Sequence, residues 1–305
     1  MAYENNVDLA DVQPTGRHGH ITLADLQSYI DSGQKQPAQT VSQTAETAVQ
    51  NSQVPAASQT QQAAAPTPAP ALKEGRVDFT PVRRAIAKAM SHQNETIPTV
   101  TNFDQVEVSK LVEHRKHFKQ QAADQDIKLT YLAYVVKALA ATAKKFPDLN
   151  ASIDIDKFQT IYHDQINVGV AVNAPSGLFV PVIFDADRKS ILTIAKEIQD
   201  LAAAVRSGSI KAAQMQGSTI TVSNVGSARG SWFTPIINGK EVAILGLGTI
   251  AKEPVIDKNG AIVAGQLMKL SLSYDHRLID GMLGQQALNY LKSLLADPEY
   301  MLMEV

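Results

Sequence analysis

Leu270-Ser271-Leu272-Ser273-Tyr274-Asp275-His276-Arg277-Leu278-Ile279-Asp280-Gly281 is the stretch that decides how this chain is read. Its first five residues alternate, with Leu270, Leu272 and Tyr274 on one face of a strand and Ser271 and Ser273 on the other. The strand ends at Asp275 and an amphipathic run begins at Met282. His276 and Asp280 therefore fall in a loop between a strand and a helix, a place where mixed folds commonly expose reactive side chains. A histidine there is ordinarily a satisfied turn residue. The string around it changes that reading.

Upstream, the chain from Val77 reads as globular to its end. Thr80-Pro81 opens a helix through Met90, and Thr99 to Val108 alternates as a strand. Ser109 and Thr130 stand where helix caps belong, and Pro147 stops the second of those helices. Strand-like runs follow near 158–162, 166–172, 178–183 and 218–224. An amphipathic helix from Ile191 to Val205 lies between the last two, with Gly208 beyond it. Strands around 241–245 and 268–274 and a helix from Met282 to Leu295 complete the pattern. Mixed strands and packed helices predict one α/β (α+β) domain over residues 77–305.

Before it lie two regions of a different kind. Residues 34–76 are rich in Ala, Gln and Pro, with no aromatic residue between 34 and 71. Such a stretch cannot repay the entropy of ordering and is expected to be a disordered linker. Residues 1–33 form a small unit, with a turn-rich loop at Pro14–His20 and a helix from Leu23 to Ile30 capped by Thr22. A unit this small is marginal on its own.

The string Asp275-His276-Arg277-x-x-Asp280-Gly281 after an apolar strand resembles the active-site signature of the dihydrolipoyl acyltransferases of 2-oxo acid dehydrogenase complexes. Val7-Asp8-Leu9, Gly16-x-x-Gly19 and Ile21-Thr22-x-x-Asp25-Leu26 resemble the peripheral subunit-binding domain of the same proteins. Pro14 and His20 depart from that domain's usual loop, and its first helix looks clipped at Met1. The resemblance implies a chloramphenicol acetyltransferase-like catalytic domain whose trimers place active sites between subunits, in a core of 24 or 60 copies. It implies acyl transfer between the dihydrolipoyl thiol of a lipoyl carrier and coenzyme A, with the acyl group most like that of the pyruvate dehydrogenase members. The alternatives are a branched-chain acyltransferase of the family or a non-catalytic core subunit. Expected partners are the 2-oxo acid decarboxylase/dehydrogenase and dihydrolipoamide dehydrogenase subunits and a lipoyl domain. Residues 1–76 hold no lipoyl-like module, so the lipoyl group is expected from a domain absent from this chain.

The chemistry asks for a base. A free imidazole titrates near ~6.5 and a thiol near ~8.5, so His276 accepts a thiol proton at modest cost. Attack of the thiolate on a thioester builds an oxyanion that needs a hydrogen-bond donor. Thr221-Val222-Ser223-Asn224-Val225-Gly226 resembles the family's Thr-x-Ser-x-x-Gly segment, which assigns that donor to Ser223. The resemblance gives Asp280 an orienting or structural role, and Asp275 and Arg277 read as braces of the loop.

Other chemistries lack support. With 28 basic and 30 acidic residues, no electrostatic case exists for nucleic acid or an anionic membrane. The absence of cysteine removes disulfides, thiolate metal sites and a cysteine nucleophile. No apolar run reaches the ~18 residues of a membrane span, and a cytoplasmic protein is expected. Gly246-x-Gly248-x-x-Ala251 follows a strand like a dinucleotide loop, yet Pro254 breaks the required helix and no acidic residue follows at the right distance. His18 with His20, and His114 with His117, lack the further ligands of a metal site. His114 and His117 read as part of a solvated basic face, and no metal is expected.

Overall fold

The computed structural model describes Val12, Thr15 and residues 21–32 and 75–304. The chain divides into two compact units, Met1–Lys73 and Glu74–Val305. In the first, α1 spans Leu23–Ser32. Its start is a reciprocal box: Asp25 N–H donates to Thr22 Oγ1 at 3.3 Å, and Thr22 N–H to the Asp25 carboxylate at 2.7 Å. Thr15 adds its hydroxyl and amide to the same carboxylate. The Thr15 hydroxyl, then the Thr22 and Thr15 amides, hold the Asp25 carboxyl well below the usual range. The loop residues Pro14 and Gly16 to His20 lie outside the described residues, as does the expected linker up to residue 74.

In the second unit the quoted stretch ends the longest strand pair. β9 (Ala243–Ile256) and β10 (Ile262–Asp275) run antiparallel. Around them the chain contributes α2 (Pro81–Thr96), β1 (Thr99–Glu107), α3 (Ser109–Ala123), α4 (Tyr131–Lys145), β2 (Ala151–Asp154) and β3 (Gln159–Tyr162). There follow β4 (Val168–Val170), β5 (Val172–Ala174), β6 (Gly177–Phe179), β7 (Val182–Ile183), α5 (Ile191–Ser207) and β8 (Ile220–Asn224). The unit closes with α6 (Gly281–Ala296) and α7 (Pro298–Glu304). Six strands form one sheet in the order β1-β10-β9-β8-β4-β7, with β8 parallel to both β9 and β4. β2 pairs with β3 and β5 with β6 in two small ribbons.

One face of the sheet carries Leu270, Leu272 and Tyr274, all buried. Helix α6 packs there so closely that a methyl group on Gly284 would lie 2.7 Å from Cε1 of Tyr274. Tyr274 donates its hydroxyl proton to Asn102 Oδ1 at 3.0 Å, which fixes the ring. Helix α4 is buried along its length, from Ala133 to Ala143. The opposite face is closed too: Ser271 and Ser273 are buried, and Ser273 shares a 2.7 Å hydrogen bond with Thr101. Phe233 N–H donates to Ser271 Oγ, because residues 230–237 cross that face.

The sequence placed the helices well and the short strands less well. Ser109 is not the cap of α3; Val108 holds that position, and the Ser109 hydroxyl donates to Glu107. Thr130 precedes α4 without a side-chain cap, whereas Thr80 and Ser190 cap α2 and α5 through Arg83 and Thr193 N–H. β2 and α7 went unread, and the runs at 166–172 and 178–183 each divide into two strands. β9 is longer than the sequence suggested. It runs through Gly246, Gly248 and Pro254, since β8 flanks it only as far as Leu247. Beyond Thr249, whose N–H is taken by Gly230 O, no strand flanks that edge, and proline is tolerated on an edge.

Candidate active site

The turn that carries His276 is built from main-chain bonds. Asp275 N–H donates to Val242 O at 2.8 Å and His276 N–H to Pro98 O at 3.0 Å. Leu278 and Ile279 N–H both close back onto Asp275 O. The buried Asp275 carboxylate accepts Arg277 N–H at 3.0 Å, Nε at 2.9 Å and Nη2 at 2.6 Å. This pairing raises the Arg277 pKa and is the bracing role expected of these two residues. His276 leaves the turn exposed, its ring centroid 6.1 Å from that of Tyr274. Rigid anchoring beneath an exposed imidazole is what a positioned proton acceptor requires.

Asp280 caps α6. Its Oδ1 accepts Leu283 N–H at 2.8 Å, and its own carbonyl receives Gly284 N–H. The carboxylate is thus committed to the helix start, and among the described residues it forms no ion pair. Burial and then the Asp280 charge raise the Tyr274 phenol.

Ser223 lies half-buried near the end of β8, level with Gly246 of β9, which is itself level with Ser271 of β10. Its hydroxyl has no hydrogen-bond partner among the described residues. A side chain on Gly246 would strike the Phe233 ring at 3.0 Å, and one on Gly248 would overlap Ser231 O, so segment 230–233 crosses β9 only because both are glycine. This is the physical role of the glycine pattern rejected above as a dinucleotide loop. His276 is five residues past Ser271 on β10, roughly 16 Å along the strand at about 3.3 Å per residue, and two strands away. The structure does not bring His276 and Ser223 together within one chain.

One charged residue reads from the sequence only as the start of a strand. Glu241 is 4% exposed. Burial pushes its carboxyl up to about 7 despite hydrogen bonds from Ser218, Thr221 and Asn238. A carboxylate heading an apolar strand was its signal in the sequence. His114 is a correction: it is half-buried, not solvated, shares a 3.0 Å hydrogen bond with the Tyr134 hydroxyl and packs on Phe118. Burial lowers its pKa. No group of three metal-ligating side chains occurs among the described residues, and no helix among them is long and apolar enough to cross a membrane.

A family model described as the 2-oxoacid dehydrogenases acyltransferase (catalytic domain) matches residues 71–303, and an E3 binding domain model matches residues 1–27. The dihydrolipoyllysine-residue acetyltransferase component of the pyruvate dehydrogenase complex of Bacillus subtilis is 46% identical over 99% of this chain and 66% of its own length. That of Staphylococcus epidermidis is 44% identical over 99% and 68%. The chain thus spans about two thirds of the length of these relatives. Among solved structures, the Azotobacter vinelandii dihydrolipoamide acetyltransferase superposes with a TM-score of 0.73 at 35% identity, covering 75% of this chain and 94% of that one. That study concerns the role of a serine, a histidine and an asparagine in its catalytic mechanism. The cubic core of a pyruvate dehydrogenase multienzyme complex superposes with a TM-score of 0.73 at 36% identity, over 75% and 94% of the two chains.

Proposed function

Because this chain belongs to the 2-oxoacid dehydrogenase acyltransferase family, we propose that it moves an acetyl group between the dihydrolipoyl thiol of a lipoyl carrier and coenzyme A. The observation that carries the reading is His276, held exposed on a turn locked by Asp275, Arg277 and Pro98. His276 takes the proton of the coenzyme A thiol as the thiolate attacks the acyl thioester. The Ser223 hydroxyl donates to the oxyanion that forms. When the intermediate collapses, the dihydrolipoyl thiolate leaves and takes the proton from His276. No acyl-enzyme is formed.

His276 and Ser223 lie too far apart in one chain to touch the same acyl group, which favours a site shared between copies. Homotrimers supply that arrangement, His276 of one copy meeting Ser223 of the next, within a larger closed core. The small N-terminal unit docks a partner dehydrogenase, in keeping with its E3 binding domain match.

The test is acetyl transfer from acetyl-CoA to dihydrolipoamide. His276→Ala is expected to remove most of it while leaving the assembled size unchanged. Ser223→Ala is expected to lower turnover by about 10²–10³. Wild-type turnover in His276→Ala would overturn the assignment. Isobutyryl-CoA serving better than acetyl-CoA would move the acyl specificity to the branched-chain members.

A further inference from the structure

Behind the His276 turn lies a polar cluster that the chemistry above does not use. Glu241 Oε1 accepts hydrogen bonds from Ser218 Oγ at 2.5 Å, Thr221 Oγ1 at 2.8 Å and Asn238 Nδ2 at 2.9 Å. Oε2 is buried and has no partner. Among the described residues no cation pairs with this carboxyl. Lys240 beside it forms no ion pair with it, and Arg277 is spent on Asp275. The other titratable groups of the surrounding walls are His92 of α2, Asp154 at the end of β2 and Asp156 beyond it, Tyr162 at the end of β3, and His163 and Asp164 after it, and none bonds to Glu241.

A carboxyl buried without a cation costs stability that an apolar residue would not. The location shows what it does. Ser218 lies just before β8, Thr221 within its start and Asn238 in the turn before β9, so one carboxyl oxygen ties that turn to the start of β8 at the same end of the sheet. The next residue, Val242, offers the carbonyl that receives Asp275 N–H. Glu241 and the Asp275–Arg277 pair also share the wall of one cavity of about 760 Å³. Glu241 is thus joined to His276 through two neighbours, Val242 and Asp275, by one hydrogen bond.

We propose that Glu241 is a positioning residue for His276: bound by Ser218, Thr221 and Asn238, it fixes the start of β9, which sets the turn from which His276 acts. The proposal rests on the reading of His276 as the proton acceptor.

The experiment uses the full chain in its assembled form, with acetyl-CoA and dihydrolipoamide. Glu241→Gln keeps the acceptor oxygen, and its kcat is expected within about threefold of wild type. Glu241→Leu removes the acceptor and is expected to lower kcat by at least about tenfold, since displacement of a catalytic group by ~1 Å is costly. KM for both substrates should change less than about twofold, because nothing that touches substrate is altered. Thr221→Val, nearly isosteric, is expected to lower kcat severalfold in the same sense and decides the matter if Glu241→Leu does not fold. Wild-type kcat in Thr221→Val and in a folded Glu241→Leu, with His276→Ala inactive, would overturn this proposal alone. Activity in His276→Ala would overturn the reading beneath it as well.

Discussion

Glu241→Gln also tests the energetics of burial, through a measurement independent of activity. The folded protein holds the Glu241 proton up to about pH 7, against an ordinary value of 4.5. Between those values the folded chain keeps a proton that the unfolded chain has released, so stability falls as pH rises. Above about pH 7 both states are ionised and the loss is complete; below 4.5 both are neutral and nothing is lost. The rise from 4.5 to about 7, at about 1.4 kcal/mol per pH unit, amounts to roughly 3–4 kcal/mol. Glutamine does not titrate. Its amide keeps the acceptor for Ser218, Thr221 and Asn238, but places an NH₂ where Oε2 had no partner, at a pH-independent cost of about 1–3 kcal/mol. The groups whose pKa is lowered, such as Asp104 and Asp297, work in the opposite direction but are common to both proteins and cancel. Guanidinium unfolding at matched protein concentration from pH 4.5 to 8 is therefore expected to show the difference shifting by about 3 kcal/mol toward the glutamine protein. Parallel curves across that range would refute the reasoning, because they would mean that Glu241 is ionised in the folded state at all these pH values.

Three further outcomes follow from the same site. Asp280→Ala removes the α6 cap and should cost about 1 kcal/mol, while Asp280→Asn keeps it; equal melting temperatures for Ala and wild type would contradict the capping role. Gly284→Ala gains about 1 kcal/mol of helix propensity but forces a methyl group into the Tyr274 ring, at a cost of about 1–3 kcal/mol. A net loss on denaturation is expected, and a stabilised protein would show that the α6–β10 contact yields freely. Arg277→Ala strands the buried Asp275 carboxylate and should destabilise by about 3 kcal/mol or more; a change below about 1 kcal/mol in the same unfolding assay would mean that water reaches that carboxylate.

The local parts of the site were legible because they depend on neighbours in sequence. Alternation from Leu270 to Tyr274, the turn at Asp275 and the helix after Asp280 each declare themselves within a few residues. The capping role of Asp280 is legible as well, since a carboxylate three residues before Leu283 is a helix-start pattern, and it is one form of the orienting or structural role that the sequence gives this residue. What stayed hidden depends on register. Nothing near Ser223 says that it stands level with Ser271, and hence far from His276 in its own chain. Nothing near Glu241 says that Ser218 and Asn238 will meet it. β9 reads short in the sequence because Gly246, Gly248 and Pro254 are locally anti-strand residues whose cost the fold absorbs.

The separation of Ser223 and His276 along one sheet has a consequence for mixtures. A protein whose proton acceptor and oxyanion donor sit on different copies can be mended by combining two defects. If impaired His276→Ala and Ser223→Ala chains are dissociated and reassembled together, some junctions pair an intact histidine from one with an intact serine from the other. In a ring with one junction between each pair of neighbours, equal mixing restores about a quarter of the junctions. With the roles proposed for His276 and Ser223, two impaired preparations would then gain activity on blending.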